Sequence, residues 1–209
     1  MPNQTTRVDF WFDPSCPWAW MTSRWVDEVS AHRDLDVTWH IMSLAILNEN
    51  NDVDAAHRAF FPRALRYAQL VAAAKERHGQ QVVKPLYDAL GTRIHLGQRT
   101  DTDAVIAESL EEAGLPAELA NEAPDAAGGH EFRFENELRA SHSSGIDLVG
   151  QDVGTPILSV DGTAFFGPVI SPAPTGEVAL TLWDGIVAAA SYDGFFELKR
   201  SRTRDPIFS

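Results

Sequence analysis

"FWFDPSCPWAW", running from Phe10 to Trp20, decides how the rest of the chain is read. The run "VDFWF" from Val8 to Phe12 is short, aromatic and apolar, stops at Asp13-Pro14, and reads as a buried strand. From Pro17 onward, Trp18, Met21, Trp25 and Val29 recur at intervals of three and four, which marks a helix face, and Pro17 suits a first helical position. Cys16, the only cysteine, therefore falls at the strand-to-helix turn, about the N-cap. Unpaired N–H groups and partial positive charge at a helix start favour a thiolate, so a lowered pKa and a nucleophilic sulfur are expected there. The alternative is a small buried hydrophobe, the common state of a lone cysteine. The tryptophans offer an apolar shelf for a substrate or a partner thiol, although tryptophans in such a run are more often core, the plain reading of Trp11, Trp25 and Trp39.

Outward from this stretch, "LDVTWHIMSL" (Leu35 to Leu44) alternates as a second strand, giving a βαβ opening. From about Asn48 to Gly150 the pattern holds no convincing strand. "AAHRAFFPRALRYAQLVAAAKERHG" is helical, with a break or a helix start expected near Pro62, and Pro85 raises the same difficulty in "QVVKPLYDALGTRIH". Leu86, Leu90 and Ile94 nevertheless share a face. "DTDAVIAESLEEAGLPAEL" has an acidic cap and stops at Gly114 and Pro116. "APDAAGGHE" reads as a loop, and "FRFENELRASHSSG" as a helix closed by Gly145. "TPILSVDGTAFFGPVI" is a hairpin turning at Asp161-Gly162. Thr175 to Ser191 is a last helix with Val178, Leu182, Ile186 and Ala190 facing inward, and the basic "ELKRSRTRDP" reads as a solvated end.

The order βαβ, helical block, ββα gives an α/β thioredoxin-like plan with an inserted all-helical subdomain. The expected boundaries are 1–47 and 150–209 for the discontinuous thioredoxin-like domain and 48–149 for the insertion. In that plan "GTP" at Gly154 to Pro156, directly before a strand, becomes a cis-proline loop, with an ordinary strand-initial proline as the alternative.

A length of 209 residues with 44% hydrophobic and 22% charged residues suits one domain with a sizeable insertion, or one domain plus a small second one. The net charge of −13 disfavours nucleic acid and anionic membrane as partners. No apolar run is long enough to span a bilayer, and the first residues lack a secretory h-region, so the cytoplasm is the expected location. One thiol agrees, since it forms no internal disulfide framework. The seven histidines show no HExxH or paired-ligand spacing, and one cysteine makes no zinc cluster, so no metal site is expected. Neither GxGxxG nor GxxxxGK[ST] occurs, so no Rossmann or P-loop cradle is indicated. "HSSG" follows a helix rather than a strand, which gives a nucleophile elbow little support.

"DFWFDPSCPWAW", "MSLAILNEN", "GTRIH", "VGQDVGTPILSVDGTAFFGPVIS" and "SYDGFFELKRSRT" resemble, in order and over nearly the whole chain, the mycothiol-dependent nitroreductases of actinobacteria. These are cytoplasmic relatives of the DsbA-type oxidoreductases, with a thioredoxin fold and a helical insertion. The resemblance is weakest from Asp54 to Arg77. It implies a Cys-Pro-Trp-Cys site, whereas this chain has Cys16-Pro17-Trp18-Ala19: the attacking cysteine is matched, and Ala19 stands where the resolving cysteine belongs. Either Ala19 is a substitution that blocks resolution, or the chain works by a monothiol route. The resemblance further implies a cleft between the thioredoxin half and the insertion, lined by Pro17, Trp18, Asn48, His95, Thr155 and Pro156. A helix cap or turn for Asn48 and a helix C-terminal position for His95 are the plain alternatives, and His57 and His142 read as surface residues.

The implied activity is thiol-disulfide exchange or thiol-driven reduction of a nitro-aromatic compound, with mycothiol supplying the electrons and no flavin, nicotinamide or metal. The partners implied are a low-molecular-weight thiol and a small aromatic or disulfide substrate, and the resemblance admits a homodimer. Two other readings share the fold: an isomerase acting on aromatic substrates with a bound thiol, and a non-catalytic binding module.

Overall fold

The computed structural model describes residues 5–124 and 132–208. Strand β1 (Thr6–Phe12) is central in a four-stranded sheet of order β2-β1-β3-β4. It pairs in parallel with β2 (Leu35–Ile41) and antiparallel with β3 (Ile157–Val160), which pairs antiparallel with β4 (Thr163–Phe166). The parallel pair needs a crossover, and helix α1 (Pro17–Ser30) supplies it. Between β2 and β3 every regular element among the described residues is helical: α2 (Leu44–Leu47), α3 (Ala55–His78), α4 (Val83–Gly91), α5 (Thr102–Glu112) and α6 (Glu135–Val149), with short 3₁₀ and π turns between them. Helix α7 (Gly176–Ala190) closes a thioredoxin-like α/β fold.

Alternation along β1 sends its side chains to two different cores. Phe10 and Phe12 point to the α1 side, where Phe12 stacks on Tyr87 at 3.8 Å and Phe10 meets Trp39 at 4.8 Å. Trp11 points to the other face, joins Met42, Ile146 and Ile157, and donates from Nε1 to Ser144 Oγ at 2.9 Å. Trp11, Trp25 and Trp39 are thus buried core residues. The hairpin turns at Asp161-Gly162, both at positive φ (49° and 94°), as a tight two-residue turn requires.

Several expectations are corrected. Helix α3 runs through Pro62 without a break. The proline removes a hydrogen bond to the Arg58 carbonyl, and both residues lie on the exposed face, where a freed carbonyl is open to solvent. Pro85 sits in the first turn of α4, where its missing N–H costs nothing. The second strand ends at Ile41 rather than Leu44, because Ser43 caps α2 by accepting from the Ile46 N–H. Asp101 occupies the N-cap of α5 without capping it, its carboxylate being held by the Arg99 guanidinium at 3.0 Å.

Gly145 does not close α6; the helix continues to Val149 and ends at Gly150, at φ 88°. Gly145 instead admits Trp11: a Cβ there would stand 2.7 Å from the indole. On helix α7, Ala190 is buried and Leu182 and Ile186 pack against the core as expected, but Val178 does not face inward. Ala179 and Trp183 are buried while Val178 is 68% exposed, because Trp183 packs on Trp25 at 5.6 Å and the Trp25 Nε1 donates to the Ala179 carbonyl at 2.9 Å. The loop expected at "APDAAGGHE" falls mostly on residues 125–131, outside the described residues.

Candidate active site

Cys16 is the N-cap of α1, in extended conformation (φ −80°, ψ 113°), with Pro17 in the first turn. The preceding turn is tied by the Cys16 N–H to the Asp13 carbonyl at 3.0 Å and by the Trp20 N–H to the Cys16 carbonyl at 3.0 Å. The Thr155–Pro156 peptide is cis, and the Thr155 carbonyl faces the sulfur: the Cys16 Sγ–H donates to it at 3.3 Å. Thr155 Oγ1 donates in turn to the Trp11 carbonyl at 3.1 Å, which ties this loop to the end of β1. Cys16, Pro17, Thr155 and Pro156, distant in sequence, therefore meet at one point.

The electrostatics differ from the expectation for a helix start. Burial pushes the Cys16 thiol up to about 12, and the neighbouring Asp13 charge acts in the same direction, outweighing the N–H groups of Ala19 and Trp18 that favour the thiolate. Geometry agrees, since a sulfur aimed at a carbonyl oxygen keeps its proton. Desolvation wins because Cys16 is only 4% exposed.

Asp13, which sequence reasoning treated only as a strand stop, is a fully buried carboxylate. It accepts from the Ser15 N–H at 2.8 Å and the Leu44 N–H at 2.7 Å, so it joins the Cys16 loop to α2. Burial nevertheless raises it to about 6. Its only sequence signal was an acid adjoining an apolar strand.

His95 lies behind the same loop, in the π-helical turn Thr92–Leu96. Its Nε2–H donates to the Pro14 carbonyl at 2.9 Å, and its ring stacks on Trp20 (5.5 Å) and on Phe208 (5.6 Å). Burial lowers it to about 4, so it is a neutral imidazole. Ala19 is fully buried, one turn along α1 from Cys16.

Trp18 is half-buried under the guanidinium of Arg202, 4.7 Å from its ring centre. The basic C-terminal segment is thus not a free solvated end: although most of it is exposed, Arg202 and Phe208 dock on the face that carries Cys16. Pro17 and Trp18 border a cleft of about 420 Å³ closed on its far side by this segment.

Asn48 is not part of this cluster. Its Nδ2 donates to the Leu44 carbonyl at 2.8 Å, and it lines a different cleft of about 330 Å³ with Phe61 and Leu65. His57 is exposed and paired with Asp54 at 2.8 Å. His142, expected at the surface, is buried, its Nδ1 accepting from the Ser43 N–H at 3.4 Å.

Residues 15–200 match the model of the Rv2466c-like family, described as mycothiol-dependent nitroreductase Rv2466c. The uncharacterized protein Rv2286c of Mycobacterium tuberculosis is 30% identical over 202 residues, covering 95% of this chain and 83% of that protein. Among solved structures, the probable DsbA oxidoreductase SCO1869 from Streptomyces coelicolor is similar with a TM-score of 0.57 at 20% identity, over 95% of this chain and 94% of that one. Pseudomonas aeruginosa DsbA is similar with a TM-score of 0.51 at 18% identity, over 92% and 88% of the two chains. The structural likenesses establish a DsbA-like fold, and the family match, running from Ser15 to Arg200, establishes kinship: the chain belongs to the Rv2466c-like family of mycothiol-dependent nitroreductases.

Proposed function

We propose that the protein is a cytoplasmic monothiol oxidoreductase in which Cys16 is the nucleophile and mycothiol the source of electrons. The observation that carries this reading is the meeting of the Cys16 sulfur with the Thr155 carbonyl of the cis-proline loop, beside the Trp18 cleft. Residues 48–149 are read as a helical insertion between the two halves of the thioredoxin-like domain. Trp18, Pro17, Thr155 and Pro156 line the approach to the sulfur, while His95 positions the loop through Pro14 rather than touching substrate.

For a disulfide substrate, Cys16 loses its proton and its sulfur attacks one substrate sulfur. A Cys16 mixed disulfide forms and the other substrate sulfur leaves as a thiolate. A chain with Cys at position 19 would break that bond internally; with Ala19, an external thiolate attacks the mixed disulfide and restores Cys16. For a nitro-aromatic substrate, Cys16 and one mycothiol are oxidised together to a mixed disulfide while the nitro group becomes nitroso with loss of water. A second mycothiol then releases Cys16 and leaves as mycothiol disulfide. Each cycle consumes two mycothiols per two-electron reduction.

The test is to incubate the protein with mycothiol and a nitro-aromatic compound and follow both by mass spectrometry. Thiol consumption with nitro reduction, abolished in Cys16→Ser, is the expected result. Rearrangement of an aromatic substrate without thiol consumption would support the isomerase instead. The buried, protonated thiol and the fully buried Ala19 favour one second reading, a thioredoxin-like binding module, which predicts ligand binding with Cys16 inert to disulfides.

A further inference from the structure

The C-terminal segment crosses the face that carries Cys16 and is fixed there at separate points. Arg202 covers Trp18, the Ser171 hydroxyl donates to the Asp205 carbonyl at 3.0 Å and accepts from the Ile207 N–H at 2.8 Å, and Phe208 stacks on His95. The cleft of about 420 Å³ beneath it has Pro17, Trp18 and Pro206 as its apolar walls and Arg202, Arg204 and Asp205 as its charged ones.

The charge of this segment runs against that of the molecule. The chain holds 17 Lys and Arg against 30 Asp and Glu, yet Lys199, Arg200, Arg202 and Arg204 crowd into "KRSRTR". Elsewhere most arginines are held by carboxylates, as Arg93, Arg99 and Arg139 are. Among the described residues, none of the four cations of this segment stands in such an ion pair, and no described carboxylate, that of neighbouring Asp205 included, pairs with Arg204. In a strongly acidic protein, uncommitted guanidinium groups beside the candidate nucleophile concentrate positive potential where a ligand must approach. Guanidinium forks match the planar geometry of a carboxylate, and proline and indole surfaces suit an aromatic ring.

We infer that the cleft between the first turn of α1 and the C-terminal segment is a binding site for an aromatic carboxylate. The ring lies against Pro17 and the Trp18 edge, and the carboxylate lies between Arg202 and Arg204. That this ligand is the substrate of Cys16 rests on the proposed function; that the site binds it does not. Asp205 opposes an anion there, so the two arginines outweigh it by one charge.

The probes are 4-nitrobenzoate and its neutral analogue 4-nitrobenzamide, titrated calorimetrically into the full chain. Nitrobenzoate is expected to bind about tenfold more tightly than the amide, with the difference shrinking at high salt. Arg204→Gln, which leaves the Arg202–Trp18 contact in place, should lower nitrobenzoate affinity several-fold and leave nitrobenzamide unchanged; Asp205→Asn should raise nitrobenzoate affinity. Equal affinity for the two probes, binding of neither, or indifference to Arg204→Gln overturns the site. Consumption of mycothiol with a nitro-aromatic compound is read in parallel. A nitrobenzoate preference in a chain that turns over no thiol supports the site and removes the oxidoreductase reading, and Cys16-dependent turnover without the preference does the reverse.

Discussion

The Cys16 sulfur and the Thr155 carbonyl oxygen lie 3.3 Å apart across 139 residues of sequence, with the thiol as donor. A thiolate at that place would face the negative end of a carbonyl dipole, so the contact and the burial hold the sulfur in its protonated form. A sulfur this buried is reached by a reagent only when the surrounding structure opens locally.

Alkylation of Cys16 by iodoacetamide is accordingly expected to titrate well above the free-thiol value of about 8.5, given a thiol pushed up to about 12 by burial. Phe208→Ala removes the stack on His95, worth about 0.5–1.5 kcal/mol. Local opening, and with it alkylation at fixed pH, should then rise roughly two- to tenfold. A midpoint near 6 in the parent chain would overturn the closed, protonated state.

Introducing a thiol at position 19 should create an internal disulfide. Positions three apart along a helix have Cα atoms about 5 Å apart, inside the range a disulfide spans, and α1 begins at Pro17. Ala19→Cys is expected to lose both thiols to a thiol-specific reagent after oxidation, and to release a Cys16 mixed disulfide without added thiol. Persistence of the mixed disulfide in that variant would contradict the resolving role of the position.

His95 is lowered by burial from 6.5 to about 4. A group depressed on folding contributes stability that is complete above its unfolded pKa and is lost as pH falls, here between 6.5 and 4. The loss is on the order of 3 kcal/mol. Relative to the parent chain, His95→Gln should be less stable at pH 7 and should close that gap by pH 4 in urea melts.

Asp13 has the opposite sign. Raised from 3.8 to about 6 by burial, it contributes stability that is present below its unfolded pKa and lost as pH rises through the folded one, again on the order of 3 kcal/mol. The stability difference between Asp13→Asn and the parent should therefore shift in favour of the variant between pH 4 and 6. Because the Asp13 charge raises the Cys16 thiol, the same variant should also lower the alkylation midpoint. An unchanged midpoint would show that the two groups are not coupled.

Gly91→Ala and Gly145→Ala test packing behind the site. A Cβ at Gly91 would meet the Trp20 ring at 2.1 Å, and one at Gly145 the Trp11 ring at 2.7 Å. Overpacking of this kind costs about 1–3 kcal/mol, more than the gain of up to ~1 kcal/mol from replacing glycine in a helix. Both variants should be destabilised in urea melts, Gly91→Ala the more.

What local pattern alone could determine was considerable. The aromatic run ending at Asp13-Pro14, the three-and-four spacing from Pro17 and the Asp161-Gly162 pair placed β1, α1 and the hairpin, because strand and helix periods and turn conformations are properties of neighbouring residues. The position of Cys16 at the helix start followed, as did the absence of a second thiol at Ala19. Its protonation did not. That depends on the water excluded by residues 139 and more positions away, and desolvation here outweighs the helix-start N–H groups that sequence does reveal. Tertiary structure likewise decided that Asp13 and His142 are buried, that Gly145 makes room for Trp11 inside a helix, and that Asn48 serves another cleft. It also brought Arg202 and Phe208 back over Trp18 and His95, since a basic segment without periodicity carries no local sign of where its cations will lie.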